Sequence, residues 1–167
     1  MIRPAQEADI PAIHQMITDL ATYERSGREV SATEDDLRAA LLAGAEEPGG
    51  PGGRPSLFAH VADEDGRAVG FALWFLSYST WLGRHGIHLE DLYVRPEWRG
   101  QGHGRALIAE LARICVERGY GRLEWSVLDW NAPARRRYES LGAAAVDEWV
   151  VYRLTGPALH ALAGAGR

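Results

Sequence analysis

Apolar positions along the chain change period several times, and each change marks an element. After a short strand at Ile2-Arg3-Pro4, the positions Ile13, Ile17, Leu20 and Ala21 recur at helical spacing. With Asp9-Ile10-Pro11 ahead of them they predict a capped amphipathic helix with proline in its first turn. Thr33-Glu34-Asp35-Asp36 reads as a capping pattern that starts a second helix, running to about Ala43 and ended by Gly44. Pro48-Gly49-Gly50-Pro51-Gly52-Gly53-Arg54-Pro55 holds neither a helix nor a strand ladder and predicts a surface loop, too short for a domain boundary. Two strand-like runs, Leu57 to Ala62 and Ala68 to Tyr78, are joined by Asp63-Glu64-Asp65-Gly66, whose Asp-Gly pair signals a hairpin. A third run, Ile87 to Val94, stops before Pro96. A helix with Leu107, Leu111, Ile114 and Cys115 on one face follows and closes at Gly119. A strand at Leu123 to Leu128, a helix at Ala132 to Leu141 stopped by Gly142, and a last strand at Trp149 to Leu154 complete the pattern. Antiparallel hairpins early and strand-helix-strand units late predict an α/β (α+β) fold, a mixed central sheet flanked by helices, with 1–167 as a single domain.

Composition narrows the class. Apolar residues are 46% and charged residues 25% of the chain, the balance of a soluble globular protein, and no apolar run is long enough to span a bilayer. The first residues lack the charged leader and cleavage site of a secreted chain. One cysteine, Cys115, allows no internal disulfide, so a cytoplasmic location is expected. The formal charge of −5 argues against nucleic acid and suits a cationic small molecule.

The chemistry begins at Arg99-Gly100-Gln101-Gly102-His103-Gly104-Arg105, a glycine-rich turn between a strand and a helix. Such a turn offers unpaired backbone N–H groups and the positive end of a helix dipole, which together cradle phosphate. A nucleotide P-loop needs Gly-Lys-Ser or Gly-Lys-Thr at its end, but Gly104 is followed by Arg105-Ala106. A dinucleotide fingerprint needs glycine three positions after Gly102, where Arg105 stands. Instead the run resembles the Arg/Gln-x-x-Gly-x-Gly/Ala signature of the GNAT acetyltransferases. It follows Leu89-Glu90-Asp91-Leu92-Tyr93-Val94-Arg95-Pro96, which is similar to that family's preceding strand. The resemblance covers Ile2 to about Leu154. It implies a GNAT fold whose sheet splits in a V around acetyl-CoA, with the diphosphate held by the turn and the pantetheine arm laid along Leu92, Tyr93 and Val94.

Amide formation from an amine and a thioester needs a neutral amine, a polarised carbonyl and a protonated leaving thiolate. An alkylammonium with pKa near 10.4 is neutral in only about one molecule in several thousand at pH 7, so a base is useful. The segment Asn131-Ala132-Pro133-Ala134-Arg135-Arg136-Arg137-Tyr138-Glu139-Ser140-Leu141-Gly142 resembles the family's later motif. That resemblance implies Tyr138 as general acid toward the thiolate, and Asn131 as helix cap or cofactor contact. Within the family the chain looks most like the diamine, spermidine/spermine and thialysine acetyltransferases. The matching pieces are Ala21-Thr22-Tyr23-Glu24, Tyr78-Ser79-Thr80-Trp81-Leu82-Gly83, Leu89-Glu90-Asp91 and Asp129-Trp130-Asn131-Ala132-Pro133. It implies Glu90 as base through water, Asp91 beside it, and an amine site lined by Glu24, Trp81 and Glu148. Strict strand alternation puts Glu90 and Asp91 on opposite faces. Ser79 departs from that subfamily, which usually has an acid there, so a smaller amine or an amino acid such as thialysine is as good a candidate as spermidine. His85 and His88 lack a third ligand, and no metal is expected. His103 either contacts the cofactor or faces solvent, and Cys115 lies on the apolar stripe of its helix. A homodimer is implied by the resemblance alone. The alternatives are a non-catalytic acyl-CoA-binding module and an enzyme acting on protein N-termini or lysines.

Overall fold

The computed structural model describes residues 1–25, 30–42 and 57–165. The predicted loop at 48–55 and the helix stop at Gly44 lie outside them. The chain forms two compact units, Met1–Leu128 and Asp129–Arg167.

The first unit runs β1 (Ile2–Pro4), α1 (Ile10–Tyr23), α2 (Glu34–Leu42), β2 (Phe58–Glu64), β3 (Arg67–Ser79), β4 (Arg84–Val94), α3 (His103–Arg118) and β5 (Leu123–Trp125). The strands lie in the order β1-β2-β3-β4-β5, the first four antiparallel and β5 parallel to β4. The β2–β3 hairpin turns through Asp65 (φ 50°) and Gly66 (φ 82°), as its Asp-Gly pair predicts. One face of the sheet carries Val61, Phe71, Leu73 and Tyr93 against Ile10, Ile13, Met16 and Leu20 of α1 and Leu37 of α2. Each large side chain buried there, Phe71 for example, is worth about 1.5–3 kcal/mol over leaving it in water. On α3 the predicted stripe of Leu107, Leu111, Ile114 and Cys115 is buried, joined by Ile108. Near α3 the Trp74 indole N–H donates to Nδ1 of the buried His60 (3.1 Å). Because that indole can only donate, His60 carries its proton on Nε2, which lies 3.9 Å from Glu110. Burial pushes the pKa of this imidazole down.

Helix starts follow the sequence in one case and depart from it in another. At α2, the Asp36 N–H donates to Thr33 Oγ1 (3.2 Å) while the Thr33 N–H donates to Asp36 Oδ2 (2.8 Å), a reciprocal cap. At α1, Asp9 does not cap. Its carboxylate accepts from Arg3 Nη1 (2.7 Å) and from the Gln6 N–H (2.7 Å). Arg3 also reaches Asp63 Oδ2 at 2.7 Å, so one guanidinium ties β1, the approach to α1 and the β2–β3 hairpin together. Burial pushes the Asp9 carboxyl up, but the bonds from Arg3 and Gln6 outweigh it and hold it below the ordinary value.

The second unit contains α4 (Ala132–Ser140) and α5 (Gly156–Gly164). Two expectations are corrected. The strand predicted to reach Leu128 ends at Trp125, and residues 149–155 form no strand. A β-rich sequence does not become a strand without a neighbouring ladder to pair with. The unpredicted α5 starts at Gly156-Pro157, a pair that reads equally well as a turn.

Candidate active site

The site is a split in the sheet of the first unit. β4 and β5 pair over only three positions, Ile87 with Leu123, His88 with Glu124 and Leu89 with Trp125, although β4 continues to Val94. From Glu90 onward that side of β4 has no partner strand among the described residues. The separation begins at a β-bulge: Leu73 pairs with Asp91 and Trp74 with Leu89, leaving Glu90 as an extra residue. A bulge bends its strand and raises the local twist, here just where the pairing with the three-residue β5 ends. It also suspends the alternation that would send Glu90 and Asp91 to opposite faces. Asp91, opposite Leu73, shares the face of Tyr93 and α1. Burial, then the charges of Glu90 and Glu24, push the Asp91 carboxyl up to about 6. Burial also raises Glu24, which stands just past the end of α1.

Beside the split lies the glycine-rich turn. Gly100 (φ 80°) and Gly102 (φ 90°) both adopt the left-handed conformation, and α3 begins directly after Gly102 with no side chain capping it. A Cβ on either glycine would meet nothing within 4 Å, so conformation and not crowding is what demands glycine here. The first-turn N–H groups of α3 therefore face open space, a fit for a diphosphate. Val94 packs beneath the turn, 3.8 Å from where a Gly104 Cβ would be, and Leu92 lies half-buried one alternation before it. Gln101 Nε2 donates weakly to the Glu97 carbonyl (3.5 Å), and Arg105 is exposed in the first turn of α3.

Two turn residues contact the surrounding elements. Arg99 Nε donates to the Val94 carbonyl (2.9 Å), and its guanidinium lies 5.2 Å from the ring centres of both Tyr23 and Tyr93. It thus fastens the turn to α1 and β4, and Tyr23 enters the site through this contact. His103 is largely buried: Nδ1 lies 3.8 Å from Glu64, the ring meets Trp98 edge-on, and Nε2 is a buried polar atom without a hydrogen-bond partner among the described residues.

On β4 before the bulge, His88 Nε2 lies 3.8 Å from Glu90 Oε2, and its ring stacks on Phe75 at 4.8 Å. Trp81 is elsewhere. It sits at the tip of the β3–β4 hairpin, 90% exposed, past the Ser79–Arg84 pair and about 20 Å along β4 from Glu90. Ser79 serves the turn: its buried hydroxyl accepts the Leu82 N–H (3.2 Å). Cys115 is buried, donates to the Arg122 carbonyl (3.6 Å), and has its thiol pushed up by burial, which makes it a poor nucleophile. Among the described residues no group of three or more His, Cys, Asp or Glu is placed to hold a metal, and no helix is long and apolar enough to cross a membrane.

In the second unit, Asn131 caps α4 by accepting the Ala134 N–H (3.3 Å), Tyr138 lies in the last turns of α4, and Glu148 is exposed in a later turn.

A mixed sheet with a free edge at a bulge, beside a helix opened by left-handed glycines, is an arrangement suited to an acyl-CoA-dependent transferase, and comparison with known proteins supplies the class. The chain belongs to the acetyltransferase (GNAT) family, whose model matches residues 13–143. It is an acetyl-CoA-dependent N-acetyltransferase. It is 39% identical to the thialysine N-epsilon-acetyltransferase of Bos taurus, covering 98% of this chain and 97% of that one. It is 31% identical to the L-ornithine N5-acetyltransferase of Arabidopsis thaliana, covering 96% and 86%. Among solved structures, an integron cassette protein from the mobile metagenome of V. cholerae superposes with a TM-score of 0.77 at 24% identity, covering 98% and 96%, and shares the fold.

Proposed function

We propose that this enzyme acetylates a primary amine of a small cationic molecule by direct attack in a ternary complex, with amino acids of the thialysine and ornithine kind as first candidates beside diamines and polyamines. The observation that carries the reading is the group of three acids, Glu24, Glu90 and Asp91, gathered where β4 leaves β5. Carboxylates there attract an ammonium, and burial makes each such pairing worth more than it is in water. The relatives' names support an amino-acid acceptor.

In this reading acetyl-CoA supplies the activated acyl group, held through the N–H groups after Gly102 and along the unpaired edge of Leu92, Tyr93 and Val94. Asp91 and Glu24 hold the ammonium, and Glu90, at the bulge, takes its proton through water. Tyr138 protonates the departing thiolate, and Asn131 shapes the start of its helix. Glu148 belongs to the acceptor lining only as an extension of the resemblance. The whole chain works as one domain in the cytoplasm. A homodimer is supported by the exposed apolar hairpin tip, where Tyr78, Trp81 and Leu82 await cover.

The test is a panel of thialysine, ornithine, lysine, putrescine, spermidine and an N-terminal peptide, read by release of free thiol. At least one small amine should turn over. Tyr138→Phe should lower kcat by about 100-fold or more with KM for acetyl-CoA changed by less than about 3-fold. Turnover of the peptide alone would overturn the acceptor class, and unchanged kcat in the variant would remove the acid.

A further inference from the structure

We propose that His88 is the outlet for the acceptor's proton, receiving it from Glu90 and passing it to solvent. The inference rests on the amine reading above and adds a residue that neither the fold nor the glycine-rich turn requires.

His88 occupies the middle one of the three positions at which β4 still pairs with β5, two residues before the bulge residue Glu90. Residues two apart on a strand share a face, and the two side chains converge to 3.8 Å between Nε2 and Oε2. The ring is held flat against Phe75 of β3, 4.8 Å between centres and 27° between planes, so its edge and not its face is presented to Glu90. Its side chain keeps 29% exposure, enough to hand a proton to water, and that of Glu90 keeps 57%. The charged groups around it are few. Glu124 of β5 lies opposite in register, but its carboxylate is taken by Arg122 Nε at 2.6 Å. Asp91 follows Glu90 in the strand, and the charge of Glu24 acts on it.

The need for an outlet is chemical. When the ammonium N–H bond breaks, its electron pair stays on nitrogen and the proton becomes bound to a Glu90 oxygen. The amine it has just activated is one base that can take the proton back, and the imidazole 3.8 Å away is another, which leads it outward. Transfer to Nε2 restores the Glu90 carboxylate. Loss of one ring proton to water restores the neutral imidazole. The balance is one ammonium converted to one amine plus one solvent proton, with no other reactant. Imidazole suits this duty because its ordinary pKa lies between those of carboxylic acids and alkylammonium ions.

Three variants and one additive test it, using the whole protein and the best acceptor from the amine panel. His88→Phe keeps the stacking on Phe75 but cannot carry a proton, His88→Gln keeps polarity, and His88→Ala leaves room for free imidazole. All three should lose about 10- to 100-fold in kcat/KM for the amine at pH 7. Calorimetric affinity for acetyl-CoA should stay within about 2-fold, because residue 88 lies before the unpaired edge. The loss should shrink toward pH 9, where hydroxide and neutral amine relieve the relay, and imidazole should restore His88→Ala in proportion to its free-base concentration. A His88→Phe enzyme with wild-type turnover and pH profile would overturn the proposal, as would a His88→Ala loss that imidazole leaves untouched. A wild-type protein that binds acetyl-CoA but acetylates no amine would instead remove the amine reading, and this proposal with it.

Discussion

Asp91 is the residue whose environment makes the sharpest demand. Its carboxyl is pushed from 3.8 to about 6, first by burial and then by Glu90 and Glu24. At about 1.4 kcal/mol per pH unit, that displacement is about 3 kcal/mol of preference for the neutral form in the folded protein. The sign follows from the direction. Below pH 3.8 the group is neutral folded or unfolded, and nothing is lost. As pH rises from 3.8 to 6 the unfolded chain ionises and the folded one resists, so stability falls by about 3 kcal/mol and then levels. Asp91→Asn places a neutral group of the same size there. The variant should match the wild type near pH 4, gain on it between pH 4 and 6, and remain more stable by about 3 kcal/mol at pH 7 and above, while acetylation drops. Urea unfolding at pH 4, 5, 6, 7 and 8, followed by tryptophan fluorescence, measures the difference directly. A stability difference that does not change with pH, or a less stable variant at pH 7, would mean that the carboxylate is welcomed by the fold, and the acidic-site argument would be wrong.

Two further outcomes test the rest of the framework. Gly102→Val forces a β-branched residue into the left-handed region and should cost at least about 10-fold in acetyl-CoA affinity by calorimetry; unaltered affinity would mean the turn does not bind the diphosphate. Arg3→Met leaves Asp9 and Asp63 facing each other without their shared cation. It should lower the melting temperature at pH 7 by about 5 °C or more, with the deficit narrowing toward pH 3 as both carboxylates protonate, since Arg3 holds both below their ordinary values; a deficit that stays constant with pH would assign the effect to packing.

Much of this molecule was legible in its amino acids, for definite reasons. The period of α1, the Asp-Gly hairpin and the stripe on α3 are local signals, and local signals suffice where one face is apolar. The glycines of the turn stand out because their spacing, which fits neither a P-loop nor a dinucleotide fingerprint, resembles the GNAT signature. What escaped prediction was non-local. Nothing around Glu90 announces a bulge, since no glycine or proline marks it; the extra residue exists only relative to β3. The pairing of Asp9 with Arg3 displaced a cap because a guanidinium six residues earlier in sequence outbid the helix N–H groups. The motif places Arg99 in the turn and leaves His103 between cofactor and solvent; the contacts they make with Tyr23, Tyr93 and Glu64 come from segments distant in sequence. The run at 149–154 has strand-forming side chains and no strand, which shows that composition proposes a ladder and only a partner grants it.

The extra residue in β4 gives that strand two phases, one before Glu90 and one after. Losing Glu90 itself would merge them into one regular alternation, with Asp91 still opposite Leu73 and Tyr93 still opposite Phe71, and only the bend would go. Losing Leu92 instead would turn Tyr93 to the other face, out of the core it shares with α1. A deletion at the bulge thus costs the bend alone, whereas one between the acidic pair and the glycines costs the core.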